Sequence, residues 1–330
     1  MMLKTIIDIA KQHSRLLRLA ASAFLLLLLF RQVSMEEIAG RFDTLMEHWP
    51  LLAIAVFLPG VGIALSAYRW KILLSALGGN VSTTFLVKGI LVGGFFNQLL
   101  PSTVGGDVAR AWWIGSAFGS SVLNLTVVVV DRVVGLVGIC AVALIAASMR
   151  PDIAASVPVV WAVVLIVGLI FVLLFVPAHC KVRGWSHRLF RLPMLRALYE
   201  KATIANQGLQ GLRAAKGHLL GALGLSILLQ IEIVILFAVL AMAMGMTISA
   251  GELAVVVPLV TLVTLLPISV NGIGLREASL ALLGAHFGLT PADAISLAWT
   301  VLFLQMLYAL IGGCVYLKGK PKILEAPHAS

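Results

Sequence analysis

Apolar positions in this chain come in long blocks, without the alternation of a half-buried strand. Blocks at 16–33, 49–68, 121–148, 157–176, 219–244 and 292–316 are close to the roughly 20 apolar residues that a helix needs to cross a bilayer. Two shorter blocks, 84–100 and 253–266, behave differently. Each runs into Leu-Leu-Pro, then a glycine-rich segment, then a second and less apolar stretch. The pattern predicts an all-α polytopic membrane protein with about six full spans plus two re-entrant helical hairpins, over 84–117 and 253–287. The runs are too long and unbroken for outer-membrane barrel strands. The first block follows Lys4, Lys11, Arg15 and Arg18, as a secretory signal would. Its apolar core is long, however, and no small-residue cleavage site follows Phe30, so it reads as an uncleaved anchor.

Composition agrees. Of 330 residues, 61% are hydrophobic and 12% charged, against about half and about a quarter in a soluble domain; mean hydropathy is +1.06. A soluble globule, a disordered chain and a disulfide-stapled scaffold are excluded. Cys140, Cys180 and Cys314 have neither disulfide nor zinc spacing.

The formal charge of +10 would point to nucleic acid in a soluble chain. Here it reports orientation instead. If both hairpins leave on the side they entered, the N-terminus, Arg69/Lys71, the loop 177–218 and the tail Lys318-Gly-Lys-Pro-Lys322 share one face. That face holds 17 of the 24 Lys and Arg, against Arg31, Arg41 and Arg150 opposite. Basic loops mark the cytoplasm, so both termini are expected there. Residues 1–330 then form a single transmembrane domain, whose halves, about 49–176 and 219–316, are joined by the basic loop. Leu189, Phe190, Leu192, Leu195 and Leu198 among Arg188, Arg191 and Arg196 fit an amphipathic helix on the anionic inner leaflet. An ordinary basic loop fits equally well.

The two hairpins also match each other. At an offset of 166 residues, Leu99/Leu265, Leu100/Leu266, Pro101/Pro267, Val104/Val270, Gly106/Gly272 and Arg110/Arg276 are identical, and Thr103/Ser269 keeps a hydroxyl. The topology makes the copies antiparallel. Inverted repeats with broken helices at matching positions are how transporters place a site near the bilayer midplane. Pro101 and Pro267 each remove an N–H, and Gly105, Gly106, Gly272 and Gly274 permit turns. Short helices should begin near Val108 and Leu275, with N–H groups and positive dipole ends toward the centre. Arg110 and Arg276 in those first turns, with Arg132 and the polar side chains Asn97, Ser102, Thr103, Ser269 and Asn271, are the candidate substrate-binding residues. Plain helix kinks with Arg at ordinary interfaces are the alternative, at odds with the cost of placing Arg in the membrane.

The embedded charges are Lys88, Asp107, Arg110, Asp131, Arg132, Glu232, Arg276 and Glu277, four of each sign. Asp107, Asp131, Glu232 and Glu277 are candidates for balancing the arginines or coupling to protons, Glu232 foremost because it lies mid-span. Asp131 and Arg132 are neighbours on a helix, so they face different partners; a structural bridge between helices is the competing role. Lys88 lies where it can snorkel. Trp112-Trp113 reads as an interfacial belt, and Gly272-Ile-Gly274 as turn chemistry, since no strand precedes it. No metal-ligand spacing, P-loop, Gly-x-Ser-x-Gly or His-Glu-x-x-His pattern occurs, so no metal and no cofactor are expected.

The pattern Phe95-Phe-Asn97, Leu100-Pro101-Ser102, Gly105-Gly-Asp107 and Arg110, then Asp131-Arg132 and Gly135-Leu136, then Pro267, Ser269, Gly272, Gly274 and Glu277, resembles the transmembrane flippase domain of the lysylphosphatidylglycerol synthase family, including stand-alone and hopanoid-associated members. The likeness runs over nearly the whole chain. It implies a multi-pass protein of the bacterial cytoplasmic (inner) membrane that translocates or handles polar lipids. The full synthases carry a soluble aminoacyl-transfer domain after this one; here the sequence ends at Ser330, so aminoacyl transfer is not expected of it.

The favoured reading is a flippase-like carrier, not an enzyme, whose arginines accept an anionic headgroup while the chains stay in the bilayer. Two alternatives stand beside it. One is an intramembrane enzyme acting on a lipid phosphate, with arginine clamps and a carboxylate base. The other is a non-catalytic partner of a lipid-biosynthesis enzyme that docks through the basic loop.

Overall fold

The computed structural model of the chain describes residues 19–31, 33–99, 103–118, 121–149, 215–266 and 268–319, and all regular structure among them is helical. α1 (Leu19–Phe30) and α2 (Met35–Glu47) lie at 90° to one another. Ser34 opens α2 by accepting the Glu37 N–H on its hydroxyl at 3.2 Å. There follow α3 (Trp49–Ser75), α4 (Thr83–Leu99), α5 (Thr103–Phe118) and α6 (Ser121–Met149). The second part comprises α7 (Lys216–Ala243), α8 (Ala250–Thr264), α9 (Leu275–Gly284) and α10 (Pro291–Leu317). Capping boxes start α8 (Ser249 with Glu252) and α10 (Thr290 with Asp293), and Pro291 takes the first helical position of α10, where its missing N–H costs nothing. Pro59 within α3 and Pro258 within α8 are tolerated because neighbouring helices surround the freed backbone.

The chain is a multi-pass membrane protein. Among the described residues four helices are long and apolar enough to cross a bilayer, α3, Thr126–Met149 of α6, α7 and α10, with the bent pair α1–α2 a fifth if it counts as one span. The four correspond to the predicted blocks 49–68, 121–148, 219–244 and 292–316. The block 157–176 and the loop from 177 to 214 lie outside the described residues, as do Pro101, Ser102 and Pro267. α8, with 15 residues, and α9, with 10, are shorter than a span. At 1.5 Å per residue they are about 22 and 15 Å long, against a hydrocarbon core of ~30 Å.

Packing is reciprocal between the parts. α3 lies along α7. The hairpin α4–α5 packs through α4 on α10, and the hairpin α8–α9 packs through α8 on α6. Shifted by the 166-residue offset, α3, α4 and α6 fall on α7, α8 and α10 to within a few residues. One apolar core gathers Leu240, Leu253, Val257, Leu297 and Ala298; a second gathers Trp70, Leu73, Leu86, Trp113 and Ile114.

Three expectations need correcting. α3 runs on past residue 68 to Ser75, which carries Arg69 into the helix interior and away from a cytoplasmic loop. α5 begins at Thr103, not near Val108, so Gly105 and Gly106 are helical rather than turn residues. Gly106 is needed for a different reason: a Cβ there would collide with the Asn97 side chain and the Gly93 carbonyl on α4. Finally, Trp112 is exposed but Trp113 is buried beside Phe85, so the two do not form a belt.

The tightest helix contact gives a stability test. A Cβ on Gly312 of α10 would overlap the Leu91 carbonyl of α4, whereas one on Gly224 of α7 meets nothing within 4 Å. Gly312→Ala is expected to destabilise the protein by about 1–3 kcal/mol, as overpacking does. Gly224→Ala should be neutral or stabilising by up to ~1 kcal/mol. Thermal unfolding in detergent separates them; a Gly312→Ala protein as stable as the parent would contradict this packing.

Candidate functional site

One face of α3 is unusually small and polar for a membrane helix. Pro59, Gly62, Ser66 and Arg69 recur at helical spacing, and all four line interior cavities. Opposite them stand Gly93, Gly94 and Asn97 of α4, and Gln230, Glu232 and Ile233 of α7. Small residues leave the space and the polar ones wet it. Three adjoining cavities result, of about 660, 280 and 310 Å³. The first two share Ser66, Ile90, Leu229 and Ile233; the second and third share Pro59, Ile63, Ile90 and Gln305.

The largest cavity is walled by an alternating chain of five charges. Arg69 Nε donates to Asp131 Oδ1 at 2.7 Å, and its Nη1 to Ser226 Oγ at 2.8 Å. The other Asp131 oxygen, Oδ2, accepts from Arg110 Nη2 at 3.0 Å. Arg110 lies 3.7 Å from Asp107 Oδ1, and Asp107 Oδ2 accepts from Arg132 at 2.7 Å. Arg110 is further held by the Trp70 ring, with its guanidinium carbon 4.0 Å from the ring centre. Three cations and two anions leave the group one positive charge in excess. Burial is graded along it: the Asp131 side chain is 2% exposed and that of Arg132 42%.

Asp131 and Arg132 thus face different partners, as adjacency on a helix requires. Arg110 sits in the third turn of α5 rather than the first, paired with carboxylates instead of lying open at a helix N-terminus. Arg69 is the member of this group that is absent from the sequence-based candidates: beside Lys71 it reads as a loop cation, although its spacing from Gly62 and Ser66 places it on the small polar stripe.

The smallest cavity contains Glu232. The third contains Arg276, Asn271, Gln98, Gln305 and Tyr308, and here the two hairpins meet: Asn271 Nδ2 donates to Gln98 Oε1 at 2.5 Å. Positive φ at Asn271 (53°), Gly272 (79°) and Gly274 (81°) makes the turn before α9. Gly274 is required there, since a Cβ would sit 2.7 Å from the Ser22 carbonyl of α1. α9 then begins at Leu275, as the sequence predicts, with Arg276 in its first turn. Arg276 Nη1 approaches Gln305 Oε1 at 3.4 Å. Among the described residues no carboxylate forms an ion pair with it. Glu277 does not serve that purpose: its buried carboxylate accepts the Gly274 N–H at 2.7 Å and so caps α9.

Of the remaining predicted residues, Asn97 lines two cavities and accepts the Gly106 N–H at 3.0 Å. Ser269 is buried, its hydroxyl has no hydrogen-bond partner among the described residues, and it lines none of the three. Thr103 is the first residue of α5, with a side chain outside the described set. Lys88 is exposed. No group of three or more His, Cys, Asp or Glu among the described residues could hold a metal ion.

The family model described as the lysylphosphatidylglycerol synthase TM region matches residues 15–313. No curated protein and no solved structure matches the chain.

The graded burial has an energetic consequence. Asp131→Asn leaves Arg69 and Arg110 facing each other without their shared counter-ion and is expected to cost about 3–5 kcal/mol. Asp107→Asn leaves Arg110 on Asp131 and strands only the half-exposed Arg132, so it should cost less. Denaturant unfolding in detergent reads both; equal losses would contradict the ordering.

Proposed function

Because the chain belongs to the lysylphosphatidylglycerol synthase transmembrane family, we propose that it is a flippase-like carrier, translocating a polar, anionic lipid across the bacterial cytoplasmic membrane without chemically altering it. On this reading both termini are cytoplasmic. The halves 49–176 and 219–316 are inverted repeats, and α4–α5 and α8–α9 are re-entrant hairpins of opposite orientation. Supporting it are the reciprocal packing of the parts, the shortness of α8 and α9, and the meeting of the hairpins at Gln98 and Asn271.

The observation that carries the reading is Arg276, a cavity-lining guanidinium that forms no ion pair among the described residues. An interior guanidinium without a carboxylate partner is costly in a membrane protein. It becomes favourable once a phosphate takes its donors in a bidentate, charge-assisted contact. The five-charge group adds a second attraction, since its excess positive charge ends at the half-exposed Arg132, where a headgroup can compete with Asp107 for the same donors. Asn97, Gln98, Asn271 and Gln305 supply the neutral polar contacts that a headgroup's hydroxyls need. Acyl chains remain in the lipid, and rocking of one repeat against the other exposes the site to either leaflet.

The test is translocation in phosphatidylethanolamine–phosphatidylglycerol vesicles carrying NBD-labelled phosphatidylglycerol, with dithionite bleaching of the outer leaflet. The reconstituted protein is expected to bring inner-leaflet label outward. Arg276→Gln should slow this about ten-fold or more, the equivalent of the ~1.5–3 kcal/mol of a hydrogen bond to a charged group. Lys88→Gln, on an exposed position, should leave the rate unchanged. A rate equal to that of protein-free vesicles, or Arg276→Gln matching the parent, would overturn the proposal.

A further inference from the structure

Between the two arginine-bearing cavities lies the one that holds Glu232. This carboxylate is 8% exposed, and its Oε1 has no hydrogen-bond partner among the described residues. The other oxygen, Oε2, points at the gap where α3 carries Gly62; a Cβ there would lie 2.8 Å away. Pro59, in the same cavity wall, marks where α3 lacks an amide donor. Apart from Ser66 and Gln305, the lining is apolar, and no other charged side chain from any packed element reaches it.

The nearest charged and titratable groups belong to the adjoining cavities. On one side stand Arg69 of α3, Asp107 and Arg110 of α5, and Asp131 and Arg132 of α6, all consumed in mutual pairs. On the other stand Arg276 of α9 and Tyr308 of α10, whose hydroxyl donates to the Val56 carbonyl at 2.9 Å. α2 and α8 bring no charge to the lining. An isolated carboxylate in such a place is ionised only at great cost, so a change in nearby charge decides whether it holds a proton. One side chain connects this acid to the cation next door. Gln305 lines both cavities, and its Oε1 lies 3.4 Å from Arg276 Nη1.

We propose that Glu232 is a proton-binding site whose occupancy is linked to an anion in the Arg276 cavity. The proposal rests on the anionic-lipid reading above. An anion arriving beside Gln305 places negative charge next to Glu232 and offsets the field of Arg276, so the carboxylate binds a proton from water more tightly. By reciprocity, a protonated Glu232 binds the anion more tightly. A proton then travels with each anionic headgroup, and a proton gradient can drive the exchange.

The experiment uses the full chain in detergent and weak buffer, with dihexanoyl phosphatidylglycerol as the probe. Binding is followed by calorimetry, and proton exchange by a pH-sensitive dye across pH 5–8. The parent is expected to take up as much as about one proton per probe bound. Glu232→Gln should still bind the probe with no uptake. In the parent itself, carbon-13-labelled glutamate should show a protonated-carboxyl infrared band that grows on probe binding, a readout independent of any variant's folding. Binding without proton uptake, or uptake that persists in Glu232→Gln, overturns the linkage and leaves the anionic-lipid reading standing. No binding of the probe removes that reading, and the linkage with it.

Discussion

The carboxylate of Asp131, held between Arg69 and Arg110, is the interaction on which the rest of the interior depends. It ties α6 to α3 and α5 at once, and Arg69 extends the tie to Ser226 on α7. In lipid, none of these charges could be left unpaired at modest cost. Held together, they let three arginines stand in the protein's interior and keep the surrounding helices in register. The cavity beside them exists because α3, α4 and α7 place glycine, serine or a short polar side chain where a membrane helix usually places leucine. The ion pairs hold the walls and the small residues leave the opening.

Beside that paired group, two charges stand out because neither forms an ion pair among the described residues. Arg276 and Glu232 occupy neighbouring cavities, share Gln305 in their walls, and form no ion pair. The first calls for an anion and the second for a proton. On the proposed carrier reading, such a site suits exchange rather than tight structural closure. Membership of a family associated with membrane lipids gives that arrangement its context, while the residues themselves supply the chemistry.

Much of this was readable from the chain alone. The apolar blocks gave the long helices, since nothing else matches a hydrocarbon thickness. The Leu-Leu-Pro pattern marked the chain breaks after α4 and α8, and the glycines at 272 and 274 marked the start of α9 at Leu275. What could not be read was pairing. Arg69 adjoins Lys71 at the edge of an apolar run, where basic residues ordinarily flank a membrane. Only the extension of α3 to Ser75 brings it opposite Asp131. Arg110 and Arg276 match at the 166-residue offset, yet their surroundings differ. Asp131 comes from another helix to meet one, while the adjacent Glu277 is consumed in capping α9. Gly106 looked like a turn glycine because its partners, Gly93 and Asn97, are distant in sequence. Helix-to-helix contacts of that kind leave no local signature in composition or spacing.

The central claim is that an anionic lipid headgroup enters the interior and lies against Arg276. Photolabelling tests it most directly: phosphatidylglycerol with a diazirine on its headgroup, incorporated with the full chain in a bilayer, irradiated, and mapped by mass spectrometry. The account predicts adducts on the walls of the third cavity, at Gln98, Asn271 and Gln305, lost when unlabelled phosphatidylglycerol is added in excess. Adducts confined to outward-facing positions such as Phe303 and Leu310 would contradict it.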